Sequence, residues 1–328
     1  MFLTYMKLFL YLFEYHFMRL ISKILGWPLE PLPKLSRNQK KTLNKAVKSL
    51  LDKWKIVIKN FPKSREVSPL FIHLKRFQLI LLDLKTFLVR KGKKDSHDIK
   101  KVLYSADCPD YFKRNYHFQT DGYFTRESAA RYDHQIELLF LGVGHIMRKV
   151  AYSFVAPIMK ENASVLEFGA ASGTSGHQFK LLYPKTDLDI LEPGKGYLDY
   201  AKETYPNDFK EIFCGFMEHF KSSKKYDLIF SCFVMHEIPY EYWDDLVQSI
   251  KDSLNEGGHL LIIDAQQDVD KKEHQFALDQ FAQDFYEPYF PEYRKNGLEN
   301  YLTQRGFKML EKNEVLFSKA LLFSYSQV

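Results

Sequence analysis

A chain of 328 residues holds one large domain, or one domain with a substantial extension, and its 45% hydrophobic and 16% aromatic content can fill a packed core. Three cysteines, Cys108, Cys214 and Cys232, are too few and too scattered for a disulfide framework or a clustered zinc site, which points to buried reduced thiols and a cytoplasmic setting. The net charge of +6 hides a division: residues 34–101 carry 20 Lys and Arg against 5 Asp and Glu, while residues 102–328 are net −10. The basic part is expected either as a solvated helical face or as a surface for anionic lipid, nucleic acid or the acidic half of the same chain.

The first stretch, "MFLTYMKLFLYLFEYHFMRLISKILGW", is apolar and aromatic but broken by Lys7, Glu14, His16, Arg19 and Lys23. No run approaches the ~20 residues of a membrane span, and no small-residue cleavage site follows. An amphipathic helix is expected, packed on the protein or lying peripherally on a membrane; Met18 is an alternative start. "WPLEPLPKLS", Trp27–Ser36, marks a linker that ends on a helix cap at Ser36. Two helices should follow, one carrying Leu43, Ala46, Val47, Leu50 and Leu51 at helical spacing, the second closed by Gly92. Residues 93–116 are polar and turn-rich, and "YHFQTDGYFTRESAARYDHQIELLFLG" leads through a loop into another helix.

From residue 164 the texture changes. The apolar runs "SVLEFG", "DLDILE", "KEIFCG", "YDLIFSCFV" and "HLLIIDA" alternate with helix-like segments, and "KMLEKNEVLF" and "SKALLFSYS" close the chain. Apolar strands separated by crossover helices predict an α/β, doubly wound, mostly parallel sheet of seven strands with an antiparallel C-terminal strand.

"VLEFGAASGTSG", Val165–Gly176, runs a strand into a turn of small residues where backbone can meet a ligand closely. A dinucleotide fingerprint would need glycine at 171 and 174, where Ala171 and Thr174 stand, and no Gly-Lys-Ser/Thr makes a Walker loop. The turn instead resembles the acid-x-Gly-x-Gly-x-Gly motif of class I S-adenosylmethionine-dependent methyltransferases, with Ala171 at the middle glycine. "EPGKGYLDYA", "YDLIFSCFVMHEIP" and "LNEGGHLLIID" resemble that superfamily's later motifs in the right order. The region 116–328, with a core at about 150–328, is thereby read as a Rossmann-like methyltransferase domain, preceded by an apolar segment and linker (1–33) and a basic helical region (34–115). The segment with "QTDGY", together with "FYEPYFPEY", is similar to a little-characterised group of bacterial methyltransferase-like proteins.

The resemblance implies S-adenosyl-L-methionine as cofactor and no required metal, since no carboxylate cluster is legible. It implies a cofactor wall of Glu167, Phe168, Gly169, Ala170, Ala171, Gly173, Glu192, Pro193, Phe216, Met217 and Cys232. Glu192 would offer two free oxygens to the ribose hydroxyls, and Glu167 would orient the turn and meet the ligand's amino group, or act as a capping acid. Phe216 replaces the acid that the superfamily sets against adenine, so stacking and backbone amides would hold the base, with Glu218 as a substitute acid. His236 is a candidate general base or a structural histidine; Tyr123, Tyr132 and Asp133 are candidates to close the pocket. Phe285, Tyr286, Tyr289 and Tyr293 would form an aromatic acceptor wall or a plain lid.

"HEIPY" is not the Asn/Asp-Pro-Pro-aromatic motif of amino-nucleobase methyltransferases. The acceptor is expected to be a small or lipid-like molecule; protein or RNA acceptors, and a non-catalytic binding module, are the alternatives. Oligomeric state is open.

Overall fold

The computed structural model describes residues 2–28, 30, 33–65, 69–94, 99 and 108–326. Parts of the proline-rich linker (29, 31, 32) and of the turn-rich stretch (95–98, 100–107) lie outside the described residues.

Three long helices come first: α1 (Phe2–Ile24), α2 (Arg37–Asn60) and α3 (Leu70–Lys93). Ser36 and Gln39 form a reciprocal capping box at the start of α2, satisfying amides that a helix end leaves orphaned. Two further helices, α4 (Arg126–Leu139) and α5 (Gly144–Ser153), join this group to the sheet. The α/β part then runs β1 (Ser164–Phe168), α6 (Thr174–Leu182), β2 (Asp187–Glu192), α7 (Lys195–Thr204), β3 (Ile212–Cys214), β4 (Tyr226–Cys232), α8 (Trp243–Ser253) and β5 (Leu254–Ala265). It closes with α9 (Gln275–Asp284), α10 (Phe290–Lys295), α11 (Leu298–Gln304), β6 (Phe307–Val315) and β7 (Ser318–Tyr325).

The seven strands lie in the order β3-β2-β1-β4-β5-β7-β6. All neighbours pair parallel except β5 with β7 and β7 with β6, so β7 alone runs against the rest. The strand order reverses between β1 and β4, the place where a doubly wound sheet opens a crevice at its carboxyl ends. Two apolar layers flank the sheet. One sets Val165, Leu188 and Phe230 against Ile146, Val150 and Phe179; the other sets Leu166, Ile229 and Ile262 against Trp243, Leu246 and Leu302.

The helical extension packs onto this core. α2 buries Leu50, Trp54 and Val57 in the same layer as Ile146 and Val150, and Trp54 Nε1 donates to Thr4 Oγ1 of α1 at 3.1 Å. Glu14 of α1 is buried and engages two imidazoles, His73 Nε2 of α3 at 2.7 Å and His134 Nε2 of α4 at 2.9 Å. Part of the lysine and arginine excess is spent on the acidic half. Arg76 meets Asp133 at 3.3 Å, Lys91 meets Asp284 at 3.1 Å, and Lys53 donates to the Glu314 carbonyl at 2.6 Å. Other lysines, including Lys40, Lys41, Lys45 and Lys48 of α2, stay exposed.

Among the described residues no helix is long and apolar enough to cross a membrane. All three cysteines are free, but only Cys108 is fully buried. Cys214 is exposed, contrary to expectation, because β3 is an edge strand with one side open.

Candidate active site

The turn after β1 works by backbone shape. Gly169, Ala171 and Gly173 all adopt left-handed φ, at 67°, 46° and 78°. A Cβ on Gly169 would fall 2.5 Å from Val234 Cγ2, and one on Gly173 would fall 2.8 Å from the Ala201 Cβ, so glycine is required at both. Ala171 tolerates the same half of backbone space at a cost of about 1 kcal/mol.

Asp133 braces this turn from α4. Its two oxygens accept Ser172 Oγ at 2.6 Å and Thr174 Oγ1 at 2.5 Å, and Arg76 of α3 balances its charge. Asp133 lines the pocket, but its oxygens are committed to shaping the turn. That makes it a positioning residue.

Glu192 closes β2 at the pocket's edge. Oε2 accepts the Ala171 amide and Oε1 the Gly194 amide, each at 2.9 Å. The oxygens are therefore not free, contrary to the expectation from sequence, yet each retains a second lone pair for a hydroxyl. Burial pushes this carboxyl up to about 7, against the pull of the two amides. Gly194 and the next glycine, Gly196, let the "QTDGYF" segment lie on this turn: a Cβ at Gly194 would sit 2.2 Å from the Tyr123 carbonyl, and one at Gly196 2.4 Å from that of Phe124.

Glu167 sits elsewhere. It is absent from the pocket's lining and lies beneath the start of α6, where a Cβ on Gly176 would come within 2.7 Å of Oε2. It is fully buried, and burial pushes it up to about 8 against the pull of the nearby Ser175 hydroxyl and Gly176 amide, neither of them aligned as a full hydrogen bond. Gly173 also stays off the pocket wall, acting through the turn. Phe168, Gly169, Ala170, Ala171, Glu192, Pro193, Phe216, Met217 and Cys232 do line it. At the Phe216 side, Phe112 meets that ring edge-on at 5.2 Å, and Tyr111 donates to Glu218 Oε1 at 2.6 Å. A flat slot bounded by aromatic edges and one buried carboxylate results.

The opposite end of the same pocket is charged. His236 Nδ1 pairs with Asp264 Oδ1 at 2.7 Å. Burial alone would lower this histidine, but the facing Asp264 carboxylate outweighs it and pushes it up to about 10. That balance favours the charged, donating form of His236 held against Asp264. Tyr123 donates to Glu237 Oε1 at 2.6 Å; Glu237 Oε1 lies 3.7 Å from His117 Nε2, and His117 Nδ1 lies 3.1 Å from Glu287 Oε1. The Glu287 side chain is sealed from solvent, neither oxygen has an aligned hydrogen bond, and burial pushes it up to about 7. Three carboxylates (Glu237, Glu287, Asp264) thus face two imidazoles (His117, His236).

Sequence spacing hid this carboxylate group. Glu237 follows β4, Glu287 follows α9, and His117 comes from the segment before the core. The signals that were available are the "HE" pair at 236–237 and the acid inside "FYEPYFPEY". The aromatic residues of that insert disperse rather than form one wall. Tyr293 is buried in the core and donates to the Ala265 carbonyl, Tyr286 takes a hydrogen bond from Arg114, and Tyr289 packs against Tyr111. Phe281, from α9, is the aromatic that reaches the pocket. Two trios with metal-ligand chemistry exist among the described residues, Glu14–His73–His134 and His117–Glu237–Glu287.

A family model described as "Methyltransferase domain" matches residues 143–312. Among curated proteins there is no sequence match. Of solved structures, the pyocyanin biosynthetic protein PhzM is similar at 11% identity and a TM-score of 0.47, with 62% of each chain covered. The N-methyltransferase NodS from Bradyrhizobium japonicum is similar at 12% identity and a TM-score of 0.41, covering 56% of this chain and 99% of that one. An S-adenosylmethionine-dependent methyltransferase from Clostridium acetobutylicum is similar at 12% identity and a TM-score of 0.48, covering 60% and 98%. The chain thus spans less than two thirds of PhzM. The family model accounts for more than half of the 328 residues, and the chain belongs to the class I S-adenosylmethionine-dependent methyltransferases, with S-adenosylmethionine as its cofactor.

Proposed function

We propose that the protein methylates an oxygen or nitrogen nucleophile on a small or lipid-like molecule. The observation that carries this reading is the polarity of one pocket: a glycine-shaped turn and a strand-end carboxylate at one end, and an aromatic, histidine- and carboxylate-bearing chamber at the other. The residues present fit the cofactor. Glu192 keeps lone pairs for ribose hydroxyls, the Phe216–Met217 side offers a slot for a flat base, and the surplus carboxylate at the far end complements a cation.

When bound, S-adenosylmethionine supplies a methyl carbon whose bond to sulfur breaks as the bond to the acceptor forms, the sulfur keeping the electron pair. In this reading the protein's own groups do three things. Asp133, Ser172 and Thr174 hold the turn rigid, which fixes alignment, the main contribution an enzyme makes to such a displacement. Tyr123, Phe281 and Tyr116 exclude water from the chamber. The proton released by the acceptor passes to the Glu237–His117–Glu287 group, in which Glu287 has no aligned donor.

Calorimetric titration tests the binding half of this reading. S-adenosylmethionine and its demethylated product should both bind with micromolar dissociation constants, and NAD should give no heat. Heat from NAD alone would overturn it.

A further inference from the structure

A second cavity, of about 540 Å³, lies between α1, α3 and α4, outside the α/β core. That volume falls within the about 300–1,000 Å³ typical of small-molecule sites. Met18, Ile80, Leu84, Phe87, Leu88 and Leu138 supply an apolar interior. His117, Ile136 and Leu139 line this cavity and the cofactor pocket alike, so the two spaces adjoin at the charged end of the pocket. The other end is polar. There Lys91 bridges Glu30 at 2.9 Å and Asp284 at 3.1 Å, and Arg19 donates to the Glu30 carbonyl at 3.1 Å. Glu30 is 62% exposed at its side chain, which puts this ionic bridge at the solvent-facing rim. In the wall, Gln135 Oε1 is buried without a hydrogen-bond partner.

The space opens to solvent at that rim, so its apolar lining meets water until an apolar body covers it. The methyltransferase core has no need of this space: the cofactor pocket has its own walls. An occupant that explains the cavity must be elongated, apolar along most of its length, and polar where it meets His117.

We propose that the cavity between α1, α3 and α4 is the binding site for the apolar body of the methyl acceptor, an amphiphile whose hydroxyl or amine head passes His117, Ile136 and Leu139 into the cofactor pocket. This rests on the methyltransferase reading above and adds to it a function for the N-terminal helices. The helices around the cavity are suited to receive such a molecule. Phe9, Leu20, Ile24 and Leu25 in and beside α1 and Leu82 on α3 are exposed apolar side chains, and the basic face of α2 lies on the same extension. The Gln135 carbonyl gives the head or an in-chain hydroxyl an acceptor on the way in.

The test uses the full chain and a homologous series of 4-alkylphenols from ethyl to dodecyl, each titrated by displacement of 1-anilinonaphthalene-8-sulfonate. One arm presents the phenol free, and a second presents dodecylphenol in phosphatidylcholine vesicles, to separate a dissolved source from a bilayer source. Affinity should rise at least tenfold from butyl to dodecyl. Leu84→Trp, which fills the cavity, and Leu88→Gln, which makes it polar, should each lower dodecylphenol affinity at least tenfold and leave S-adenosylmethionine binding within twofold. If Leu84→Trp does not fold, Leu88→Gln decides. Affinity independent of chain length, or unchanged in the folded variants, overturns the proposal. Loss of S-adenosylmethionine binding in the unaltered protein would instead overturn the methyltransferase reading, so the two failures are distinct.

Discussion

The two ends of the central pocket are built differently. At the cofactor end the work is done by backbone: three left-handed residues in the five positions 169–173, glycines that admit close contacts, and one carboxylate, Glu192, fixed by two amides. At the acceptor end it is done by side chains drawn from three distant parts of the chain, His117, Glu237 with His236, and Glu287. A backbone site is rigid and tied to one ligand. A side-chain site can be changed residue by residue without disturbing the sheet. The comparison teaches that the cofactor end is set by fold geometry, whereas the far end, where we propose that the acceptor enters, is open to change in its side chains.

The sharpest way to break that contrast is Gly169→Val. A branched side chain at φ 67°, aimed at Val234, adds strain and overpacking worth about 2–5 kcal/mol together. S-adenosylmethionine binding should fall more than a hundredfold by calorimetry, with the α/β core still folded by far-UV circular dichroism. Normal binding would mean that the turn does not hold the cofactor.

Glu192→Ala comes next. It removes a charged acceptor from two amides and from the ribose, at a cost of about 1–3 kcal/mol in cofactor affinity. An unchanged dissociation constant would take Glu192 out of the site.

A smaller, pH-dependent effect should come from Glu167. Its carboxyl is pushed up to about 8 in the folded protein, against an ordinary value of 4.5. The folded state then holds a proton that the unfolded chain has released, so stability falls as pH rises from about 4.5 to about 8. Glu192, raised in the same direction, adds to this slope. Glu167→Gln should flatten the decline in melting temperature and exceed the unaltered protein by several degrees at pH 9, with little difference at pH 5. Parallel curves would show that Glu167 is ionised in the folded state.

The smallest effect belongs to Ala171→Gly. Relief of the left-handed strain at 46°, about 1 kcal/mol, is offset by about 0.4–1 kcal/mol of extra freedom in the unfolded chain. Stability and cofactor affinity should both stay within about 0.5 kcal/mol. A tenfold change in affinity would give the Ala171 methyl a direct part in binding.

The same contrast explains what was legible in the sequence. β1, its turn, Glu192 and the β4 and β5 motifs could be read because a parallel sheet announces itself in short apolar runs, and because a backbone site needs small residues at fixed spacing. Seven strands and the final antiparallel strand followed from those runs. The destination of Asp133 could not be read: its partners Ser172 and Thr174 lie about forty positions away, and only packing of α4 on the turn joins them. Glu167 looked like a ligand acid, yet on a five-residue strand its side chain takes the face that lies under α6. His236 was legible as a candidate base or a structural histidine, but its partner Asp264, 28 positions on, is invisible until β4 and β5 pair. The apolar first helix was legible as amphipathic, but not the cavity it encloses, since a cavity is a property of how three helices fail to fill space.

The central claim is methyl transfer to an amphiphilic small molecule, and the fate of the methyl group tests it most directly. Purified protein is incubated with methyl-labelled S-adenosylmethionine and cell extract separated into organic-soluble, aqueous small-molecule, RNA and protein fractions. The account predicts label in the organic-soluble fraction, abolished by Gly169→Val and reduced by Leu88→Gln. Label in RNA or protein, or bound cofactor with no label transferred to any fraction, would contradict it.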